Sequence, residues 1–444
     1  MIHIDASAGA AASLWEAMGD GDHAMHAVSA GQALTRDISV DVAIIGGGYS
    51  GLNAAYALHK RGASAVVLDA KTVGWGASGR NGGVITSKFR PSFPRIAKAH
   101  GLNVARDMHR IAHQAVRVVE SHVAEFADFG LRDARYEHNG SLRCAHTDSA
   151  LAVIRNEAEW LAANLGDRSL SVLSRHEVAA ETGSNAFVGG VLSTDAGAIL
   201  PLRYVRGLAA GVQSQGVDIF EGTPVFSMDR TDKGVILRTP QASVNAGQVI
   251  IATNSYSNFT PATKAYHKTL VPFRSAMIAT RKLTAEQDAV LMTQCRSYTE
   301  TRRMMKWFRK VDGRILFGGR DAFGKEGQTT GFEALRRAMV ELFPILQAWP
   351  IDYQWSGYVG MTFDALPHIG RADDRTTFCL GYNGAGIAMS SFLGQQAAAL
   401  ALGDPVTLSL LGREGLTPVP LHALRAPAVR MVAGWYQLLD ALGA

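Results

Sequence analysis

The 444-residue chain has only three cysteines, Cys144, Cys295 and Cys379. They are too few and too scattered for a disulfide framework or a cysteine-bound zinc, which points to a reducing, cytoplasmic setting. No apolar run reaches the roughly 18 residues that span a bilayer, so no transmembrane segment is expected. The N-terminal stretch carries Asp5, Glu16, Asp20 and Asp22, whereas a secretion signal would place a basic region ahead of an apolar one. Although the formal net charge is +5, the basic residues are scattered among acids, and no nucleic-acid partner is expected. His109 and His113 have a spacing that suits a metal on a helix, but no glutamate completes an HExxH pattern. Solvated or packed histidines are therefore expected there, as at His100 and His122, and no metal site.

The chain does have enough apolar material, 47% of its residues, to bury the cores of two or more domains. It is organised around Asp41 to Gly83. Val42, Ala43, Ile44 and Ile45 form an apolar run of buried-strand type that stops at Gly46-Gly47-Gly48, and a helical pattern then runs from Ser50 to Arg61 and ends at Gly62. Three glycines divide the work: Gly46 for the tight turn, Gly48 for close approach of a pyrophosphate, and Gly51 for packing of helix on strand. The helix start, with Tyr49 and Ser50, offers free amides and the positive end of a dipole to phosphate. A second apolar strand, Ala65 to Leu68, ends on Asp69, about 20 residues beyond the glycines, where such folds place an acid on ribose hydroxyls. Ala70 and Lys71 follow as neighbours of that site.

Next comes Gly74-Trp75-Gly76-Ala77-Ser78-Gly79-Arg80-Asn81-Gly82-Gly83, a loop rich in backbone amides and poor in bulk. Such a loop suits the ribityl phosphate and ring of a flavin, with Gly76, Ala77, Ser78, Arg80, Asn81 and Gly82 as contacts. With these residues the chain resembles the D-amino-acid-oxidase superfamily of FAD-dependent amine oxidoreductases, and the GWGASGRNGG wording is most similar to the gamma-glutamylputrescine oxidoreductase branch. The resemblance implies an α/β (α+β) fold: a Rossmann-like FAD-binding domain with an inserted substrate domain on a mixed or antiparallel sheet with helices. The expected division is an N-terminal arm (1–36), a discontinuous FAD-binding domain (37–90, 199–260 and 355–444) and a substrate domain (91–198 and 261–354).

Along the rest of the chain, Leu14, Trp15 and Met18 could dock a short helix of the arm on the body, or the arm could be a loose tail. A long helical region is expected from Ile96 to Phe129 and another helix from Ala150 to Leu165. Residues 177–198 read as a linker, and Pro201 to Gln215 as a helix. Antiparallel strands are expected around Val217 to Phe220, Val225 to Met228, Val235 to Arg238 and Val249 to Ala252. Asp312-Gly313 signals a hairpin turn. Counted outward from it, Arg303, Met305, Trp307 and Arg309 share one face with Leu316, Gly318 and Arg320. Met304, Lys306, Phe308 and Lys310 share the greasier face with Ile315, Phe317, Gly319 and Asp321. Trp307, Arg309 and Arg320 are thus candidates for a substrate wall.

By resemblance, backbone near Val225 lies against adenine, and the segment around Gly357 returns the chain to the flavin. A second glycine turn, Gly384-Ala385-Gly386-Ile387, brings a helix start to the flavin pyrimidine edge. Many relatives have histidine where Ala385 stands. Covalent relatives in the sarcosine-oxidase branch attach flavin through a cysteine where this chain has Gly357, so FAD is expected to be non-covalent. A lysine that assists oxygen reduction in that branch corresponds to Leu316, which leaves either oxygen or another carrier as acceptor. The implied reaction passes a hydride from a carbon bearing an amine to the flavin, and the resulting imine hydrolyses to a carbonyl. It demands no acid or base, and no catalytic residue is assigned. The basic wall suggests an amine with an acidic group, such as gamma-glutamylputrescine or a carboxylate or phosphonate amine. The rivals are a flavin dehydrogenase of a hydroxy acid or glycerol phosphate, and a flavin electron-transfer subunit.

Overall fold

The structure is a computed structural model that describes residues 13–19, 31–319 and 330–425, with a few positions between 427 and 435. Two large sheets carry it. The first runs, edge to edge, Gly412–Glu414, His368–Arg371, Thr376–Leu380, Ser243–Ile251, Ile38–Ile45, Ala65–Leu68 and Asp218–Phe220. Its centre is parallel, and Val42 to Ile45 is fully buried on both faces, which is why those residues are all apolar. Ser227–Arg230 and Val235–Arg238 form an antiparallel meander with the outer end of Ser243–Ile251. Asp218–Phe220 is not part of that meander, as the alternation of short strands had suggested. It extends the parallel edge beside Ala65–Leu68 after the helix Pro201–Ser214.

The second sheet has eight strands in the order Ile351–Met361, Val271–Thr280, Arg314–Gly319, Lys306–Val311, Ser297–Glu300, Ser141–Ala145, Gly189–Ser193 and Leu170–Ser174. Residues 355–361, expected with the first sheet, pair along Val271–Thr280 in the second. The stretch read as a linker contains the helix Arg175–Thr182 and the strand Gly189–Ser193, held between Ser141–Ala145 and Leu170–Ser174. Its glycines reflect packing: a Cβ at Gly190 would meet the Arg143 carbonyl oxygen at 2.9 Å. The long helical region divides into Phe93–His100 and Leu102–Glu125 at Gly101, whose φ of +93° breaks the α geometry. Among the described residues no helix is long and apolar enough to cross a membrane.

The hairpin register follows the count from Asp312-Gly313. Trp307 pairs with Gly318, Phe308 with Phe317 and Arg309 with Leu316. Phe308, Phe317 and Ile315 pack on Leu335, Met339 and Phe343, the latter group from the helix Thr330–Leu342 and its end. Trp307 and Leu316 turn the other way, toward the core shared with the first sheet. The strand begins only at Lys306, so Arg303, Met304 and Met305 lie in the preceding turn and have no place in the alternation. Arg320 and Asp321 lie outside the described residues.

Candidate active site

The first glycine turn is closed by backbone geometry. Gly46 has φ +113°, and a Cβ there would meet the Ala252 carbonyl oxygen at 2.8 Å, so only glycine lets the strand end so close to its neighbour. A Cβ on Gly51 would stand 1.9 Å from the Gly46 carbonyl oxygen, which fixes the helix Tyr49–His59 against the turn. A Cβ at Gly48 would meet Ser78 Oγ at 2.8 Å, and among the described residues only the Ser78 side chain comes within 4 Å, so the turn is closed toward Ser78 and open beside it. Ser78 Oγ accepts from the Tyr49 amide at 3.1 Å, and the Tyr49 hydroxyl donates to the Ser78 carbonyl at 2.6 Å. Two segments predicted to hold one cofactor are therefore bonded to each other.

Asp69 accepts from the Gly47 amide at 2.7 Å and the Lys71 amide at 2.8 Å. Burial raises its carboxyl above the usual range, against the pull of those two amides. Thr223 donates its amide to the Asp69 carbonyl at 2.7 Å and Gly222 donates to the Lys71 carbonyl, which brings the buried Val225 and the Ala70-Lys71 bend to the same end of the sheet. The second glycine turn reaches the first through Ser50 and Tyr382, whose hydroxyls lie 2.6 Å apart. Its helix, Gly386–Ala401, has Ala385 as N-cap and crosses the first helix at Gly394, where a Cβ would meet the Ser50 carbonyl oxygen at 2.3 Å. A Cβ at Gly384 or Gly386 would find no atom nearer than 4.0 or 3.7 Å, and Ile387 is buried just behind them.

The loop Gly74 to Gly83 connects the two sheets. Asn81 ties its short helix Ala77–Arg80 by donating from Nδ2 to the Ala77 and Ser78 carbonyls. Arg80 donates to the Trp75 and Ser356 carbonyls and stacks on the Trp75 ring at 4.7 Å. A Cβ on Gly357 would touch Arg80 at 3.4 Å, and one on Gly82 would touch the Trp307 indole at 3.3 Å. Gly318 is needed as glycine because Trp307 lies across it, leaving 2.2 Å for a Cβ. Around Gly76, Tyr256 and Phe259 make an aromatic side against Trp75.

Arg309 differs from its sequence expectation. It is only 3% exposed, so it backs the wall instead of facing an open pocket. It donates to the Ile199 carbonyl at 2.9 Å, and among the described residues its Nε has no hydrogen-bond partner. Burial lowers its pKa to about 10, opposed by Glu137. Trp15 covers it: the guanidinium lies 5.5 Å from that ring, and Trp15 also donates to the Asn81 carbonyl at 3.0 Å and meets Trp355 edge-on at 5.9 Å. Trp15 is 2% exposed on the helix Leu14–Ala17, which a Ser13–Glu16 capping box starts. This part of the arm is thus docked. The sequence signal was S-x-x-E with the tryptophan inside it, which fixes a helix start but not its destination.

A family model described as FAD dependent oxidoreductase matches residues 41–400. The chain belongs to the DAO family of FAD-dependent oxidoreductases. It is an enzyme, and FAD is its cofactor. It is 31% identical to a probable oxidoreductase OrdL of Rhizobium meliloti, over 90% of this chain and 92% of that one. It is 28% identical to the gamma-glutamylputrescine oxidoreductase of Escherichia coli, over 92% and 95%. The fold superposes on glycine oxidase from Geobacillus kaustophilus with a TM-score of 0.71 at 20% identity, covering 85% of this chain and 98% of that one. The site geometry fits the cofactor: one turn is left open at Gly48, a second at Gly384 and Gly386, and an acid stands at the strand end between backbone amides.

Proposed function

We propose that this enzyme oxidises the CH–NH bond of an amine or amino acid that also carries an acidic group, to an imine that hydrolyses to a carbonyl. Bound FAD supplies the acceptor for the hydrogen and electron pair that leave the substrate carbon. In this reading the amides of Gly48 to Gly51 hold the pyrophosphate, Asp69 the ribose hydroxyls, and the Gly76 to Gly82 loop with Gly357 and the 384–387 turn the flavin end. Trp307, on the face that meets Gly82, forms a dry side for the reacting amine, and excluding water there favours its neutral form. An imine that stays in such a site until it leaves is protected from side reactions.

The observation that carries the acidic part is a pair of guanidiniums flanking the loop. Arg80 and Arg309 hydrogen-bond only to carbonyls and stack on Trp75 and Trp15, and among the described residues neither bonds a carboxylate. Two guanidiniums with no carboxylate bonded to them among the described residues favour an anion, and Arg80, being half-buried, is the one within reach of a substrate. The similarity to a gamma-glutamylputrescine oxidoreductase agrees with the anion part of this logic, since a gamma-glutamyl group keeps its α-carboxylate, next to an α-ammonium and at the far end from the reactive amine. Comparing kcat/KM for an amine bearing a carboxylate with that for its primary amide is the test. A preference of at least about tenfold for the acid is expected, equal to about 1.4 kcal/mol. Equal values would remove the acidic group from the reading.

The same reading makes FAD non-covalent: Gly357 offers no thiol, and burial holds Cys379 up to about 11, too high to be reactive. Acid precipitation should leave the yellow colour in the supernatant. Leu316, buried on the wall, offers no positive charge to oxygen, so slow reoxidation in air is expected by stopped flow, with a quinone or similar carrier as acceptor.

A further inference from the structure

Away from the cofactor site, His109 and His113 lie one turn apart on the helix Leu102–Glu125 and meet Asp167, which follows the helix Asp148–Leu165. His109 Nε2 is 2.9 Å from Asp167 Oδ2 and 3.0 Å from His113 Nε2, and His113 Nε2 is 3.6 Å from the same oxygen. Three ligand-type atoms thus form a triangle. Its edges match those of a tetrahedron around zinc, about 3.3 Å when the metal lies about 2.0 Å from nitrogen and oxygen.

The surroundings orient each ligand. Asp195 Oδ2 lies 2.6 Å from His113 Nδ1 as an ion-pair contact outside hydrogen-bond geometry, which puts a carboxylate behind the ring on the side away from Nε2. Asp195 is itself held by Arg117 at 2.7 Å. The other oxygen of Asp167 accepts from the Ser169 amide at 2.9 Å and hydroxyl at 2.7 Å, leaving Oδ2 for the triangle. His109 packs edge-on against Phe93 at 5.2 Å. A histidine backed by a carboxylate is the usual outer shell of a zinc site. Each ring nitrogen carries at most one proton, so hydrogen bonds cannot satisfy all three edges at once, whereas one central cation satisfies all three.

We propose that His109, His113 and Asp167 bind a divalent transition ion of the zinc type, with Asp195 as the positioning residue and water completing the tetrahedron. Imidazole and carboxylate donors without sulfur suit zinc and exclude a preference for soft monovalent copper. The ion would staple the helix Leu102–Glu125, which packs on both glycine-turn helices, to the loops at Asp167 and Asp195 on the edge of the second sheet. The HxxxH spacing was visible in the sequence. Its third ligand was not, because Asp167 arrives from another helix end.

The test uses FAD-loaded enzyme stripped with a chelator, dialysed, and titrated with zinc in a calorimeter. One zinc per chain is expected, with a rise in the thermal midpoint. His109→Ala and Asp167→Ala should each abolish that site while keeping the flavin spectrum, which reports folding. Asp195→Asn should weaken binding by about 10- to 100-fold, the usual cost of losing an outer-shell carboxylate. The rival occupant is a proton shared between the imidazoles, and it predicts no stoichiometric zinc. That result, or a zinc affinity unchanged in His109→Ala and Asp167→Ala, would overturn the proposal.

Discussion

The glycine turn at Gly46 to Gly51, proposed to hold the phosphates, is built from backbone, whereas the wall beyond Asn81 to Gly83 is built from side chains of three distant segments: Trp15, Trp307 with Arg309, and Trp355. In the turn it is the absent side chains that matter: Gly46 and Gly51 answer to backbone of the neighbouring strand's end and of the turn itself, and Gly48 to Ser78 of the following loop. In the wall, Arg309 is held by a carbonyl 110 positions earlier and covered by an arm residue almost 300 positions away. A backbone-made site tolerates no added atom, while a side-chain wall tolerates change in proportion to what each group contributes.

The largest effect should therefore come from the turn. Gly48→Val places branched carbons on the open side of the turn and against Ser78, and should yield colourless protein of lower stability. Full flavin occupancy, read from the visible spectrum, would erase the contrast between the regions. In the wall, Trp15→Ala should cost about 3–5 kcal/mol of stability, as for other fully buried aromatics, while flavin still binds. If chemical denaturation finds less than about 1 kcal/mol, the arm is an ornament and not a wall.

The seam between the regions gives a pH signature. His122 sits between Tyr56 of the helix Tyr49–His59 and Phe126, and among the described residues neither ring nitrogen has a hydrogen-bond partner. Burial lowers its pKa to about 4, opposed by Glu125. From about pH 6.5 downward the unfolded chain takes up a proton that the folded chain refuses until about pH 4. Stability present at neutral pH is thus lost across that window, by up to about 3 kcal/mol. His122→Phe should flatten part of this fall in thermal midpoint. His267, lowered to about 4 chiefly by burial, and His422, also lowered by burial, should retain a further part of it. The smallest effect belongs to Arg309→Met: no carboxylate is orphaned and stability should change little, while the preference for an acidic amine over its amide should drop by about 1 kcal/mol. An unchanged preference would leave Arg80 alone as the source of that selectivity.

How much was legible follows the same division. The order strand, glycine turn, helix, strand and Asp69 was readable because each step depends on neighbours in sequence, and the hairpin register was readable because Asp312-Gly313 fixes the count. The wall was half-readable: alternation put Trp307 and Arg309 on the correct face but could not show that Trp15 seals Arg309 from solvent. Residues 177–198 were half-read: their short-strand look is matched by Gly189–Ser193 and Ala196–Ala198, but their glycines, which make room for crossing strands, look like those of a linker between sheets. Tyr256 and the Asp167 partner of His109 were invisible for one reason: each gains its role from a contact across elements.

The central claim, an FAD enzyme acting on amines, is tested most directly by anaerobic mixing of the yellow enzyme with a panel of substrates while the flavin absorbance is followed. Amines and amino acids, foremost those with an acidic group, should bleach the flavin, and a 2-hydroxy acid or glycerol phosphate should leave it yellow. Bleaching by the hydroxy compounds with no response to any amine would contradict the account.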